Sequence, residues 1–332
     1  MPTSNYQQPA PSPLERLTRL LQTERKDILY LLLFAVITGL ITLTLPLGIQ
    51  AVFNLVSSGM LFSSIYVMIG LVVVGVLVAG ALTIVQFTIV EIIQQRLFLK
   101  AAFEFTYRLP RIKPEAMDGY YPPELMNRFF DVLTLQKGMS KVLVDMPAAA
   151  VQILFGIILL SFYHPAFLGF GLIVLLVLYG VIRLFGPEGT RTSIKESSDK
   201  YKVVAWLEQY SLNLAEHRST GDSPIDQIDT KLASYINHRN DHFRVLKRFY
   251  YSSAGFRALV TGGLLILGTS LVVSRQMSLG QFVASELVIV LITGAVDKLT
   301  SSIDTVFDML AGVEKIGTVT DLPLETDTPT HA

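Results

Sequence analysis

The chain has 332 residues, 51% of them hydrophobic and 16% charged, whereas a soluble domain carries roughly a quarter charged residues. Its 27 basic residues balance 27 acidic ones, leaving no global field to attract nucleic acid, and the lack of cysteine excludes disulfides, thiolate catalysis and cysteine-ligated metals. This is the composition of an integral membrane protein.

Residues 1–13, rich in Pro, Ser and Gln, predict a disordered tail. No basic n-region opens the chain and no small-residue cleavage site follows the first apolar run, so that run is expected to be retained. Over residues 14–27, Leu14, Leu17, Leu20 and Leu21 alternate with Glu15, Arg16 and Arg19. The pattern predicts an amphipathic elbow helix lying at the membrane interface; a short cap helix is the other reading.

Six apolar segments follow, at 28–53, 61–90, 142–162, 165–182, 258–273 and 279–296. Each meets or approaches the ~20 helical residues needed to cross a hydrocarbon layer of ~30 Å. Pro165, following His164, marks the first turn of the fourth span, and Ser278 with Gln281 predicts a capping box at the start of the sixth.

Lys and Arg set the orientation. No basic residue separates the first two spans, only His164 lies between the third and fourth, and Arg275 alone lies between the fifth and sixth. On the other side Arg16, Arg19, Arg25 and Lys26 precede the first span, eight basic residues occur from Arg96 to Lys141, and eleven from Arg183 to Arg248. By the positive-inside rule both termini are expected in the cytoplasm.

The two long basic segments, 91–141 and 183–257, each read as helix, break, helix. The first runs from Glu91 through Tyr107, breaks over Pro110, Pro114 and Gly119, and resumes after Pro122 and Pro123. The second continues the fourth span through Trp206 and Leu214 and breaks at Thr220 and Gly221. It restarts with Ser223 as N-cap and Pro224 at the first helical position. An arm of ~20 residues carries each break about 30 Å beyond the bilayer. The fold class predicted is an all-α membrane protein with six transmembrane helices and two long helical cytoplasmic extensions.

After the first break, Glu124-Leu125-Met126-Asn127-Arg128-Phe129-Phe130-Asp131-Val132 resembles an E-L-x-x-R-x-x-x-D-V stretch with one residue fewer between Arg and Asp. The sixth span opens with Ser278-Leu279-Gly280-Gln281-Phe282-Val283-Ala284. Glu314-Lys315-Ile316 and Asp321-Leu322-Pro323-Leu324-Glu325 close the chain. Together these segments resemble the transmembrane domain of a type I ABC exporter of the bacteriocin and type I secretion kind, over about 14–325.

The resemblance implies a transmembrane domain at 28–316 and, at 317–332, a tail where a nucleotide-binding domain would normally follow. It also implies coupling helices near Pro114–Tyr121 and Ser211–Arg218. The contacts to an ATPase would then come from Met117, Asp118, Gly119, Tyr120 and Tyr121 at one tip, and from Leu212, Asn213, Leu214, Glu216 and Arg218 at the other. Taken without it, the tips read as ordinary helix-hairpin turns. The chain has no G-x-x-x-x-G-K-[ST] phosphate loop, no Gly-Lys dipeptide and no LSGGQ-like signature. The expectation is therefore an ATP-coupled translocase subunit without ATPase residues of its own or a cofactor in this chain. ATP and Mg would sit on a nucleotide-binding domain supplied in trans, and two transmembrane subunits, as homo- or heterodimer, would enclose the pathway. Membrane lipid is the other expected partner, nucleic acid is not one, and the expected location is the bacterial plasma (inner) membrane. An exporter-like scaffold or regulatory protein, or a truncated exporter, is the alternative.

Within the spans, Gln50, Asn54, Gln86, Gln152 and Glu286 are the polar residues that could line a pathway; hydrogen bonding between helices is the favoured reading of the amides, while for Glu286 a structural hydrogen bond and a substrate-facing role weigh equally. Arg257 and Arg275 flank the fifth span, and Glu286 could reach at most one of them. Gly70, Gly75 and Gly80 suit close packing. Asp297, Lys298, Asp304 and Asp308 read as a solvated helix leaving the membrane. His238 and His242 share a helical face but lack a third ligand or an H-E-x-x-H pattern, so a polar face is favoured over zinc.

Overall fold

The computed structural model describes residues 11–59, 62–117, 120–214 and 225–325. Nearly everything described is helix: α1 (Pro13–Gln22), α2 (Arg25–Thr42), α3 (Thr44–Ser57), α4 (Phe62–Arg108), α5 (Pro114–Met117), α6 (Pro122–Asn127), α7 (Asp131–Ser140), α8 (Met146–Tyr163), α9 (Pro165–Leu212), α10 (Ile225–Val273) and α11 (Leu279–Thr320). Six rods are long and apolar enough to cross a membrane, so the chain is an all-α, multi-pass membrane protein.

Proline shapes two of the crossings. Pro46 has no N–H to give and would crowd the carbonyl four residues back, so the first crossing resets at Leu43, between α2 and α3. In the third, a π-helical turn at Lys141–Asp145 loosens the backbone just before Pro147 near the start of α8. The fourth runs on through Pro187 without interruption.

Helices α4, α9, α10 and α11 hold 47, 48, 49 and 42 residues. At ~1.5 Å per residue each is about 60 to 75 Å long, twice the hydrocarbon thickness. All four extend to the same side as α1. At the opposite end the turns are tight: Gly59 takes φ +67°, and Arg275, at φ 58°, closes the turn between α10 and α11. The capping box forms there, with Gln281 N–H donating to Ser278 Oγ at 3.1 Å and Ser278 N–H to Gln281 Oε1 at 2.9 Å.

Two hydrophobic cores stack along the molecule. One fills the apolar bundle, with Ile153, Phe167, Val260, Leu264, Val288 and Ile292 buried between α8, α9, α10 and α11. The other lies among the extensions, where Ile93 and Phe105 of α4, Leu135 and Met139 of α7 and Met309 of α11 meet Leu17 of α1. Two glycines permit the closest approaches. A Cβ on Gly138 would lie 2.1 Å from Met309 Sδ, and one on Gly189 would lie 2.1 Å from the Phe307 ring. Of the three evenly spaced glycines on α4, Gly75 meets Thr44, whereas Gly70 and Gly80 have open space before them. The outer face of α4 carries Val67, Leu71, Val74 and Leu77, all more than half exposed, the stripe expected where a helix meets hydrocarbon.

Candidate functional site

The first tip is a closed turn. Helix α4 gives way to a 3-10 turn at Leu109–Arg111, where Pro110 follows, and then to the single turn of α5. The Tyr120 N–H donates to the Met117 carbonyl at 3.0 Å, and both side chains rest half-buried on the outer core. The Arg128 guanidinium stands over the Tyr120 ring, 5.6 Å from its centroid, and the Tyr121 hydroxyl is buried. Asp118 and Gly119 lie outside the described residues. Residues 323–325 run antiparallel beside this tip: Lys113 N–H donates to the Pro323 carbonyl at 3.1 Å and Glu325 N–H to the Arg111 carbonyl at 2.7 Å.

At the second tip α9 ends at Leu212, and Asn213 N–H returns to the Tyr210 carbonyl at 3.2 Å. Leu212 is 72% exposed and Leu214 45% among the described residues, an apolar end. Glu216, Arg218, Ser223 and Pro224 lie outside the described residues, and α10 is described from Ile225.

The stretch after the first tip is a joint. Glu124 accepts from Arg128 at 3.1 Å, Arg128 and Asp131 are both buried, and Tyr201 of α9 and Lys315 of α11 close around them. Burial pushes the Asp131 carboxyl up and the Lys315 ammonium down, the latter aided by the nearby Arg128 charge. One residue away, the Asn127 side-chain amide donates to Glu208 near the end of α9. This segment thus ties the first tip to the helix that leads to the second. The E-L-x-x-R pattern marks the place in the sequence; its partners on α9 and α11 carry no sequence signal.

A second polar joint holds α9, α10 and α11 together. The Asp199 carboxylate, 5% exposed, meets Lys202 at 2.7 Å, Ser234 at 2.6 Å and His238 at 2.7 Å. Burial works to raise its pKa, but the donors outweigh burial and hold it well below the usual carboxylate range. One turn on, His242 is fully buried, with Nδ1 2.9 Å from Thr192 Oγ1, Nε2 3.5 Å from Asp304 Oδ1, and its ring edge-on to Phe307. The expected polar face of the two histidines is thus an internal one, because α9 and α11 cover that side of α10, and Asp304 stands half-exposed at its edge. Asp297 is likewise engaged, pairing with Arg257 and accepting from Ser253, and Lys298 reaches Asp145 at 3.3 Å.

Three of the polar residues within the spans serve contacts between helices. Gln50 accepts from the Tyr163 hydroxyl at 2.8 Å, and Gln86, 1% exposed, donates to Thr38 at 3.3 Å. Asn54 packs over Gly280, where a Cβ would fall 2.2 Å from its Oδ1. Gln152 is half-buried on α8. Glu286 is half-buried with Oε1 buried and unpartnered; Arg257 goes to Asp297 instead.

Among the described residues no group of three or more metal-ligating side chains gathers. A family model described as ABC transporter transmembrane region matches residues 28–210, more than half of the chain. No curated protein matches it.

Proposed function

The chain belongs to the ABC transporter transmembrane family, and from that premise we propose that it is the membrane-spanning subunit of an ATP-driven exporter, coupled to a nucleotide-binding domain supplied in trans. The single observation that carries this reading is the cross-tie between the arms. Asn127, just after the first tip, holds Glu208, just before the second. Displacement of one tip therefore moves the other, and helices twice as long as the membrane is thick carry that displacement into the bundle.

In this reading Met117, Asp118, Gly119, Tyr120 and Tyr121, with Leu212, Asn213, Leu214, Glu216 and Arg218, dock on the partner ATPase in the cytoplasm of a bacterium, and both termini lie on that side of its inner membrane. The exposed Leu212 and Leu214 supply the apolar contact such docking requires. ATP and Mg sit on the partner. Two transmembrane subunits enclose the pathway, with Glu286 as the polar side chain in the spans freest to meet a substrate, and Gln50, Asn54, Gln86 and Gln152 as the other candidates to line it. Residues 14–27 form the elbow, 28–316 the transmembrane domain and 317–332 the tail beyond it.

The test is site-directed crosslinking in native membranes. A cysteine at Tyr120 or Leu212, in this naturally cysteine-free chain, should capture a nucleotide-binding protein, and L212E should abolish ATP hydrolysis stimulated by the membrane subunit. Failure of both cysteines to capture an ATPase, with no stimulated hydrolysis in the purified complex, would defeat the proposal.

A further inference from the structure

Helix α1 is strapped across a groove between α4 and α11 by ion pairs at its two ends. Near its start Arg16 reaches α11 and the residue following it, with Nη1 3.1 Å from both the carbonyl and the carboxylate of Glu314 and Nη2 2.7 Å from Asp321. Gly317 makes room for that reach, since a Cβ there would fall 2.0 Å from Arg16 Nη1. Just beyond the other end, Arg96 of α4 holds Glu24 at 2.9 Å and Asp27 at 2.8 Å. Between the straps lies a cavity of about 240 Å³. Its floor is apolar, built from Ile93, Leu97, Phe105, Leu135, Met139 and Ile316.

The charges around this cavity are unevenly neutralised. Its carboxylates are occupied: Glu24 by Arg96, Glu104 by Arg108 and Asp321 by Arg16. Arg19 and Lys100 also line it, and among the described residues neither has an ion pair or hydrogen bond. Arg16 lines it too, and although its side chain is nine-tenths buried, its Nε has no acceptor. A greasy floor, two free cations and a buried unpaired guanidinium N–H together fit an anion that carries hydrocarbon. Position narrows the choice. Asp27 opens the first crossing, and Arg96 stands only six residues past the apolar run of the second, about 9 Å at helical rise. The Arg96 strap therefore stands near the headgroup layer, and the cavity runs outward from it along the arm.

We propose that this cavity is a binding site for one anionic phospholipid from the adjoining leaflet. Its phosphate sits between Arg19 and Lys100, and part of an acyl chain lies on the floor beneath α1. Basic pockets at the ends of membrane helices attract anionic headgroups at about 1 kcal/mol per Lys or Arg. Bound there, the lipid staples α1 to the arm formed by α4 and α11.

The full chain, reconstituted in nanodiscs of mixed phosphatidylglycerol and phosphatidylcholine and released for native mass spectrometry, should retain one phosphatidylglycerol in preference to phosphatidylcholine. The exposed pair R19Q/K100Q, which leaves both straps in place, should weaken that preference roughly thirty-fold, the equivalent of about 1 kcal/mol for each lost charge. Equal retention of the two lipids, or an unchanged preference in the double variant, overturns the proposal. A thermal shift with inorganic phosphate in detergent equal to that with phosphatidylglycerol also overturns it, since the floor would then contribute nothing. None of these readouts involves an ATPase, so they stand or fall apart from the transport reading.

Discussion

Asn127 and Glu208 lie 81 residues apart in sequence, yet the side-chain amide of the first donates to the carboxylate of the second. The bond joins α6 to the last turns of α9. A hydrogen bond to a charged group contributes about 1.5 to 3 kcal/mol. Replacing Asn127 with Ala should therefore raise amide hydrogen exchange at least about tenfold around residues 122–130 and the end of α9. Residues 44–57 of α3, which lead to the opposite end of the bundle at Gly59, serve as the unaffected control. Unchanged exchange at the joint would mean that the bond carries no load between the arms.

Asp199 makes a prediction about acid. Burial works to raise its pKa, but Lys202, Ser234 and His238 more than reverse this, so the carboxyl titrates well below its ordinary value. A carboxylate held low in the folded state stabilises it above the unfolded pKa of about 3.9, and that contribution fades as pH falls below this value. D199N should lower the thermal midpoint at pH 7, by the equivalent of about 1.5 to 3 kcal/mol. The gap between variant and parent should narrow below about pH 4, because the unfolded parent then takes up a proton that the folded carboxylate still refuses. A gap of constant size down to pH 3, measured by unfolding in detergent, would show that the donors do not hold an ionised carboxylate.

The rods were legible in the sequence because each is announced by an apolar run, and two of them also by punctuation, Ser278 with Gln281 and His164 with Pro165. The continuity of α4 into its arm followed from apolar spacing that persists past Val90. Partners were not legible. His238 and His242 declare a shared face by their spacing, but nothing in one dimension says that α9 and α11 cover it or that Asp199 and Asp304 wait there. For the same reason Arg257 read as a possible mate for Glu286, when it pairs with Asp297 at an exposed site. The E-L-x-x-R stretch was visible as a resemblance, whereas its physical content, a buried joint to Tyr201 and Lys315, needed the fold.

Glycine provides a controlled comparison within one helix. On α9 a methyl group at Gly189 would fall 2.1 to 2.7 Å from the Phe307 ring, whereas one at Gly180 meets nothing within 4 Å. Overpacking of this kind costs about 1 to 3 kcal/mol, while Ala for Gly in an unobstructed helix gains up to about 1 kcal/mol. G189A should lower the unfolding midpoint and G180A should hold or raise it. If the two behaved alike, Phe307 would have room to swing away and the α9–α11 contact would be looser than its geometry implies.

Gln86 offers the sharpest separation of structural from transport roles among the span amides. It is 1% exposed and donates to Thr38 across the α2–α4 contact, so a substrate would have to displace that bond to reach it. Interhelical hydrogen bonds in membranes are worth about 0.6 kcal/mol on average, because the alternative state also finds partners. Thr38→Val should therefore cost less than about 1 kcal/mol in stability and leave transport in reconstituted vesicles unchanged. Glu286, whose Oε1 is buried without a partner, should behave in the opposite way. E286Q removes a charge with no neighbour to lose, so it should spare stability and alter transport if this carboxylate faces the pathway. Loss of transport in T38V with normal folding would move the pathway to the α2–α4 seam, and unchanged transport in E286Q would remove Glu286 from it.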